Sequence, residues 1–360
     1  MKTIIIDPAR IRAFGKPVET HFIVVTNQSL RDDIIIKNSG SYIGYQTMLL
    51  ESKIPFVELL ANQIPNRAHI LVISPDAFFQ SPPQDSLGNH RKLLAMACNS
   101  TPADVDVINH FLRVLEDTDP EKQQQHANHF FELGENAAFL EFVDERNGTL
   151  ARFNHLDDSY LWSEQAGTLG DGEQQLAPSG EISVLPLKIQ EFDETLRLDF
   201  NGTIALNGTP ILHNGTPSFL RADQQRLHHA LSGISDTALI ATVENGVIVD
   251  LKAASPTGDS ATAILQALFT IDSRYRILWE IGFGINTAHR ILPGNHAMNE
   301  TFGNTDGAIH FGLGLTPYTQ YHLDIICPNT VVKTDTGEYL IGKRKSAMER
   351  HRAAGCPCIE

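Results

Sequence analysis

Phe22-Ile23-Val24-Val25-Thr26 and Ile70-Leu71-Val72-Ile73-Ser74 decide how the first half of this chain folds. Each is a short apolar run rich in Ile and Val, without polar alternation. Strands that read this way are buried on both faces, which is what a parallel sheet covered by helices requires. Thr3–Ile6 has the same character. Between and after these runs, Thr47–Ala61, Pro102–Leu115 and Pro120–Leu133 carry apolar residues at helical spacing, the last opening on proline. Strands alternating with helices predict an α/β unit with a mainly parallel sheet.

The composition breaks at Gly167–Gly180, a stretch with Gly167, Gly170, Gly172, Pro178 and Gly180 and almost no apolar content. A chain of 360 residues is long enough for two domains. The expected division is therefore 1–170 for the N-terminal α/β domain, 171–345 for a C-terminal α+β domain, and 346–360 for a flexible tail. Thr195–Phe219 holds the pairs Asn201-Gly202, Asn207-Gly208 and Asn214-Gly215 between short apolar runs, which predicts consecutive tight turns and an antiparallel meander. Asn245-Gly246 is a further turn, Ser260–Phe269 reads as helix, and Arg276–Ile285, Ala308–Leu315 and His322–Ile326 read as strands.

A formal net charge of −15 opposes contact with nucleic acid or anionic lipid and favours a cation or a basic peptide. No run approaches the ~18 apolar residues of a membrane span, and the N-terminal apolar run is too short for a signal peptide. A cytoplasmic, membrane-free protein is expected. The four cysteines, Cys98, Cys327, Cys356 and Cys358, form no spaced disulfide framework, and Cys356-Pro-Cys358 is too tight for a zinc knuckle. HExxH, GxSxG and GxGxxG motifs are absent. Gly337–Arg344 approximates a phosphate-binding loop, but Arg344 stands where the metal-binding hydroxyl belongs, and Glu338–Ile341 reads as a strand of a hairpin.

Polar residues interrupt three otherwise apolar strands. In Ile277–Asn286, alternation puts Leu278, Glu280, Gly282 and Gly284 on one face and Ile277, Trp279, Ile281 and Phe283 on the other. A carboxylate on a buried strand costs several kcal/mol unless it is paired or metal-bound. The glycines beside it leave room for an ion or a ligand. His310 stands in a similar setting with Gly312 and Gly314 on its face, and His322 and Asp324, two apart, point to one side. With Glu181 in Pro178–Pro186, these make three carboxylates and two imidazoles, the inventory of a two-metal site.

Gly180-Glu181-Ile182, Glu280–Asn286, Pro293-Gly294-Asn295, Gly307–Gly314 with His310, and His322-Leu323-Asp324 occur in this order over about half of the chain. The ordered set resembles the aminopeptidase T-like metallopeptidases. That resemblance implies that Glu181, Glu280, His310, His322 and Asp324 hold two divalent ions, with zinc, cobalt and manganese all suiting the mixed oxygen and nitrogen donors. It implies metal-assisted amide hydrolysis in which a glutamate, Glu181, takes the proton of a water and a tyrosine assists; Tyr318 is the nearest candidate. The N-terminal half and the Gly314–His322 stretch are shorter than in that family. This predicts an open cleft on a monomer, with a peptide substrate or precursor peptide as partner. Two other readings share the scaffold. One is a peptide-binding partner protein similar to truncated homologues in ribosomal-peptide natural-product pathways. The other is a mononuclear iron ring-opening dioxygenase similar to the dihydroxypyridine dioxygenases, which resemble the chain in the last His-x-Asp.

Overall fold

The computed structural model describes residues 3–50, 55–76, 79–98, 100, 103–187, 189, 193, 195–216, 218–315 and 318–342. The tail 346–360 with Cys356 and Cys358 lies outside these residues, as do Lys343 and Arg344.

The parallel sheet expected from the Ile- and Val-rich runs is present. Its strands are β2 (His21–Thr26), β4 (Gly44–Leu49), β5 (Ala68–Ile73), β6 (Arg91–Met96) and β10 (Gln174–Ala177), in the order β10-β6-β5-β2-β4. Every neighbouring pair is parallel. Alternate residues feed two different cores. Phe22, Val24, Leu71 and Ile73 pack with Ile108, Phe111 and Leu115 of α3 (Val105–Asp117), whereas Ile23, Val25, Ile70 and Val72 pack with Phe56, Leu59 and Leu60 of α1 (Phe56–Asn62). Burial on both faces is why these strands carry no polar alternation. A separate parallel pair, β1 (Ile4–Ile6) and β3 (Ile34–Ile36), adds to the first of these cores.

From Leu140 onward, β10 apart, the strands build two antiparallel sheets. One, of six strands, contains β9 (Tyr160–Gln165), β11 (Glu181–Pro186), β13 (Thr209–Asn214), β16 (Leu278–Gly284), β17 (Ala308–Leu313) and β18 (Tyr321–Cys327), ordered β13-β18-β17-β16-β11-β9. The other, of seven, contains β7 (Leu140–Asp144), β8 (Thr149–Phe153), β12 (Phe200–Leu206), β14 (Leu239–Glu244), β15 (Val247–Ala253), β19 (Val331–Thr334) and β20 (Tyr339–Ile341). The two sheets share one core. Phe283 and Phe311 of the six-stranded sheet meet Phe142 of the seven-stranded sheet at ring-centroid distances of 6.3 and 6.0 Å. Helices α4 (Pro120–Glu135), α5 (Arg221–Leu231) and α6 (Asp259–Ile271) pack on this core, and the short α2 (Gln84–Leu87) lies beside α1. No described helix is long and apolar enough to cross a membrane.

Four details differ from the sequence reading. Thr47–Ala61 is not one helix: Gly44–Leu49 is an edge strand paired with β2, and helix begins only at Phe56. Sheet membership changes near Leu140, before the glycine-rich segment, and β10 within that segment returns to the parallel sheet. The Asn-Gly pairs of Thr195–Phe219 do not make a meander. Gly202 lies inside β12, where an added Cβ would sit 2.5 Å from the Leu150 carbonyl oxygen, and the turn at Asn207-Gly208 passes the chain from one sheet to the other. The antiparallel meander is instead β16-β17-β18. Finally, a bulge between Leu278 and Glu280 turns Leu278 into the core with Ile281 and Phe283, while Trp279 joins a small cluster with Ile277 and Leu315. Asn245-Gly246 does form the expected hairpin turn between β14 and β15, with positive φ at both residues.

Candidate metal centre

One face of the six-stranded sheet is core; the other carries the site. Ile182, Phe283, Phe311, Leu323 and Leu212 point into the core, so their neighbours Glu181, Gly282, His310, Asp324 and His213 project from the opposite face. Register then brings the candidate ligands together across strands. Asp324 and Glu280 both lie opposite Gly312, His310 lies opposite Gly282, and Glu181 lies opposite Gly284. Two of these glycines, Gly312 and Gly282, make room for the functional side chains themselves. An added Cβ would meet Glu280 Cβ at 2.8 Å and Asp324 Oδ1 at 2.9 Å from Gly312, and His310 Nε2 at 1.9 Å from Gly282. The bulge beside Glu280 aims its carboxylate at this face without bringing Leu278 along.

All five ligands expected from the sequence converge. His310 Nε2 is 3.4 Å from Glu181 Oε1, and His322 Nε2 is 3.4 Å from Glu280 Oε2 and 3.0 Å from Asp324 Oδ2. His322 Nδ1 lies 2.9 Å from the Gly314 carbonyl oxygen. A carbonyl only accepts, so Nδ1 carries the proton that makes this bond and Nε2 faces the carboxylates. Two residues that the sequence reading missed complete the cluster. His213 Nε2 is 2.5 Å from Glu300 Oε1 and 3.2 Å from Asp324 Oδ2. His213 interrupts Pro210-Ile211-Leu212 much as His310 interrupts its own strand, but it stood next to an Asn-Gly pair and was absorbed into a turn. Glu300 lies in the short helical turn Ala297–Thr301, where no strand alternation marks it.

Among the described residues, three groups of donors lie close enough to hold an ion: Glu181, Glu280 and His310; Glu280, His322 and Asp324; and His213, Glu300 and Asp324. Asp324 and Glu280 each belong to two of them. Asp324 is 2% exposed, and its Oδ1 is buried without a hydrogen-bond partner, as is His310 Nδ1. A buried carboxylate oxygen left unpaired is costly, and a cation is the partner that removes the cost. The mixed carboxylate and imidazole set fits zinc, cobalt or manganese. Electrostatics follow from the crowding. Burial alone would raise Asp324, but His322, His213 and His310 hold it far below the usual carboxylate range. Burial pulls the histidines down and the carboxylates outweigh it: Glu300 and Asp324 push His213 up to about 10, Glu181 and Asp324 push His310 up to about 9, and Asp324 and Glu280 raise His322 well above the ordinary value.

The cluster forms one wall of a cavity of about 520 Å³. The other wall comes from the parallel sheet: Ser74, Pro75 and Asp76 follow β5, and Ala97 and Cys98 follow β6. Ligands of open α/β sheets bind at such carboxyl ends. Tyr318 is not among the residues lining this cavity; it packs against the cluster of Ile277, Trp279 and Leu315.

No protein-family model and no curated protein matches the chain. Among solved structures, 2,5-dihydroxypyridine dioxygenase from Pseudomonas putida KT2440 superposes with a TM-score of 0.51 at 11% identity, covering 92% of this chain and 94% of the other. Wild-type AmpT from Thermus thermophilus gives a TM-score of 0.43 at 14% identity, covering 92% and 95%. The first likeness establishes a shared fold. The clustered donors add a place on that fold where a metal ion could bind.

Proposed function

We propose that the chain is a metal-dependent hydrolase of peptide or amide bonds that works with two divalent ions. The observation that carries this reading is the position of Glu280, whose carboxylate belongs to two adjoining donor groups, one with Glu181 and His310 and the other with His322 and Asp324, while Asp324 keeps a buried oxygen without a partner among the described residues. A carboxylate so placed suits a bridge between two ions. Glu181, Glu280, His310, His322 and Asp324 are the proposed ligands. Bound there, the ions would supply Lewis-acid polarisation of the carbonyl and a water of lowered pKa. Glu181, which lines the cavity, is the proposed acceptor of that water's proton. Gly314 orients His322 through its carbonyl, and Gly282 and Gly312 leave the ligand side chains the space they need.

Reconstitution with zinc, cobalt or manganese followed by elemental analysis should give two ions per chain, and Asp324→Ala or Glu280→Ala should lose one or both. Cleavage of unblocked peptides by the loaded protein is the accompanying assay. Two ions without cleavage, but with binding that strengthens along a peptide length series, would move the reading to a peptide-binding protein. Glu280, His322 and Asp324 form a three-donor group by themselves, which favours a single-ion centre as the second reading. One tightly held iron with oxygen uptake would establish that reading and remove the hydrolase.

A further inference from the structure

Among the described residues lining the cavity, Arg221 is the sole lysine or arginine, set among Asp76, Glu181, Glu280, Glu300 and Asp324. Despite these neighbours, no carboxylate of the described residues pairs with it. Its Nη1 donates to the Ser100 carbonyl oxygen at 2.6 Å and to Gln224 Oε1 at 2.5 Å. No described residue accepts from Nη2 or Nε, and the Phe219 ring centroid lies 5.1 Å from the guanidinium carbon.

The support beneath this guanidinium is buried and shared with the metal centre. Gln224 is 0% exposed, and its Nε2 donates to the Leu212 carbonyl oxygen at 2.7 Å. Asn295 accepts from the Leu212 amide at 2.7 Å and donates back to its carbonyl at 2.9 Å. Leu212 is the residue before His213. Ser100 Oγ donates to the Asn295 carbonyl oxygen and accepts from the Ala297 amide, which starts the turn that carries Glu300. One network of buried polar bonds therefore sets both Arg221 and the His213–Glu300 end of the cluster. Locking a cation's support in this way preorganises it for a ligand.

Building on the hydrolase reading, we infer that Arg221 is a specificity-determining residue that binds a carboxylate of the substrate, which is an amide or dipeptide with a free carboxylate a few bonds from the scissile carbonyl. A guanidinium matches a carboxylate with two parallel N–H donors, and a single arginine suits a monoanion better than a phosphate dianion. A cavity of about 520 Å³ holds a molecule of dipeptide size. Divalent ions at the cluster cancel the carboxylates that would otherwise repel the substrate's anionic end.

The probes are glycyl-leucine and glycyl-leucinamide, which differ in that one group, titrated by calorimetry into zinc-loaded protein. Wild type should bind the free acid at least tenfold more tightly. Arg221→Met should abolish the difference while elemental analysis still finds the wild-type zinc content, and Arg221→Lys should restore part of it. If turnover occurs, the change should fall on KM rather than kcat. Equal binding of acid and amide by wild type would overturn the assignment, as would a preference that survives in Arg221→Met. Should Arg221→Met fail to fold, the wild-type ligand pair and Arg221→Lys decide. A carboxylate preference without cleavage keeps the Arg221 assignment and sinks the hydrolase; cleavage of both probes with equal affinity does the reverse.

Discussion

Gly282→Ala adds one methyl group to the sheet and should dismantle part of the metal centre. The new Cβ would lie 1.9 Å from His310 Nε2, 2.0 Å from Cε1 and 2.7 Å from Cδ2. Ordinary carbon contacts are about 3.5–4.0 Å, so the ring must retreat by roughly 1.5 Å. Ligand distances tolerate only about 0.2 Å, so the imidazole leaves its coordinating position. His310 is 1% exposed, and there is no solvent into which it can swing freely. Overpacking of this kind costs about 1–3 kcal/mol. The expected result is loss of the ion held by Glu181, Glu280 and His310, a weakening of at least about 100-fold, together with a fall in Tm of several degrees in the metal-free protein. Elemental analysis after dialysis against a metal buffer reads the first effect and thermal unfolding the second. Gly134→Ala is the control: nothing lies within 4 Å of its Cβ, it sits in α4, and it should leave metal content intact while adding about 0.5–1 kcal/mol of stability. Gly282→Ala combined with His310→Ala should recover part of the lost Tm but none of the metal, because the clash is relieved and the ligand is gone. Full metal content and an unchanged Tm in Gly282→Ala would refute the close fit between strand and ligand.

Two further expectations concern stability. His69 is 3% exposed, stacks on Phe14 and bonds the Tyr42 hydroxyl through Nδ1 at 2.8 Å; burial and the nearby Lys92, against a weaker pull from Asp171, lower it to about 4. Its folded pKa lies below the unfolded one, so the contribution is complete above about pH 6.5 and is lost as pH falls towards 4, by roughly 3 kcal/mol. His69→Phe should flatten the fall in urea midpoint over that window; parallel profiles for the two proteins would contradict it. Arg91 is 7% exposed and donates to the carbonyl oxygens of Leu60, Ile64, Pro65 and Leu87, tying the end of α1 to β6. Arg91→Met leaves these acceptors bare and should cost about 3 kcal/mol in denaturant unfolding; a loss under 1 kcal/mol would show that water replaces the guanidinium.

The strands, and the five residues that the sheet brings together, were legible because alternation on a sheet with one buried face leaves a polar residue conspicuous among apolar neighbours. That logic identified Glu280, His310 and Asp324 from short windows. It failed where pairing is non-local. The bulge at Leu278–Glu280 is a property of two strands and moves Leu278 to the other face. Gly202 serves the close approach of Leu150 rather than a turn, which only the partner strand reveals. His213 follows the alternation rule, yet a strong local turn signal at Asn214-Gly215 competed with it. Glu300 sits in a helical turn and becomes significant only when that turn delivers it to β13.

The glycines were read as space for an ion, and the structure assigns that space differently. Gly282 and Gly312 hold neighbouring ligand side chains, whereas the open volume lies above the sheet, against the ends of β5 and β6. The candidate ligands and the opposite wall of the cavity therefore come from separate parts of the chain. The antiparallel face supplies a crowded set of carboxylates and imidazoles that tolerates little change, since His310 abuts Gly282, while Glu280, Asp324 and His322 crowd Gly312. The N-terminal parallel sheet supplies Ser74–Asp76, Ala97 and Cys98, strand ends that face the cluster across the cavity. Residues after parallel strands vary without disturbing the core beneath them. Substitutions at Asp76 should consequently shift substrate preference at constant metal content, while substitutions on β16 and β17 should change metal content first.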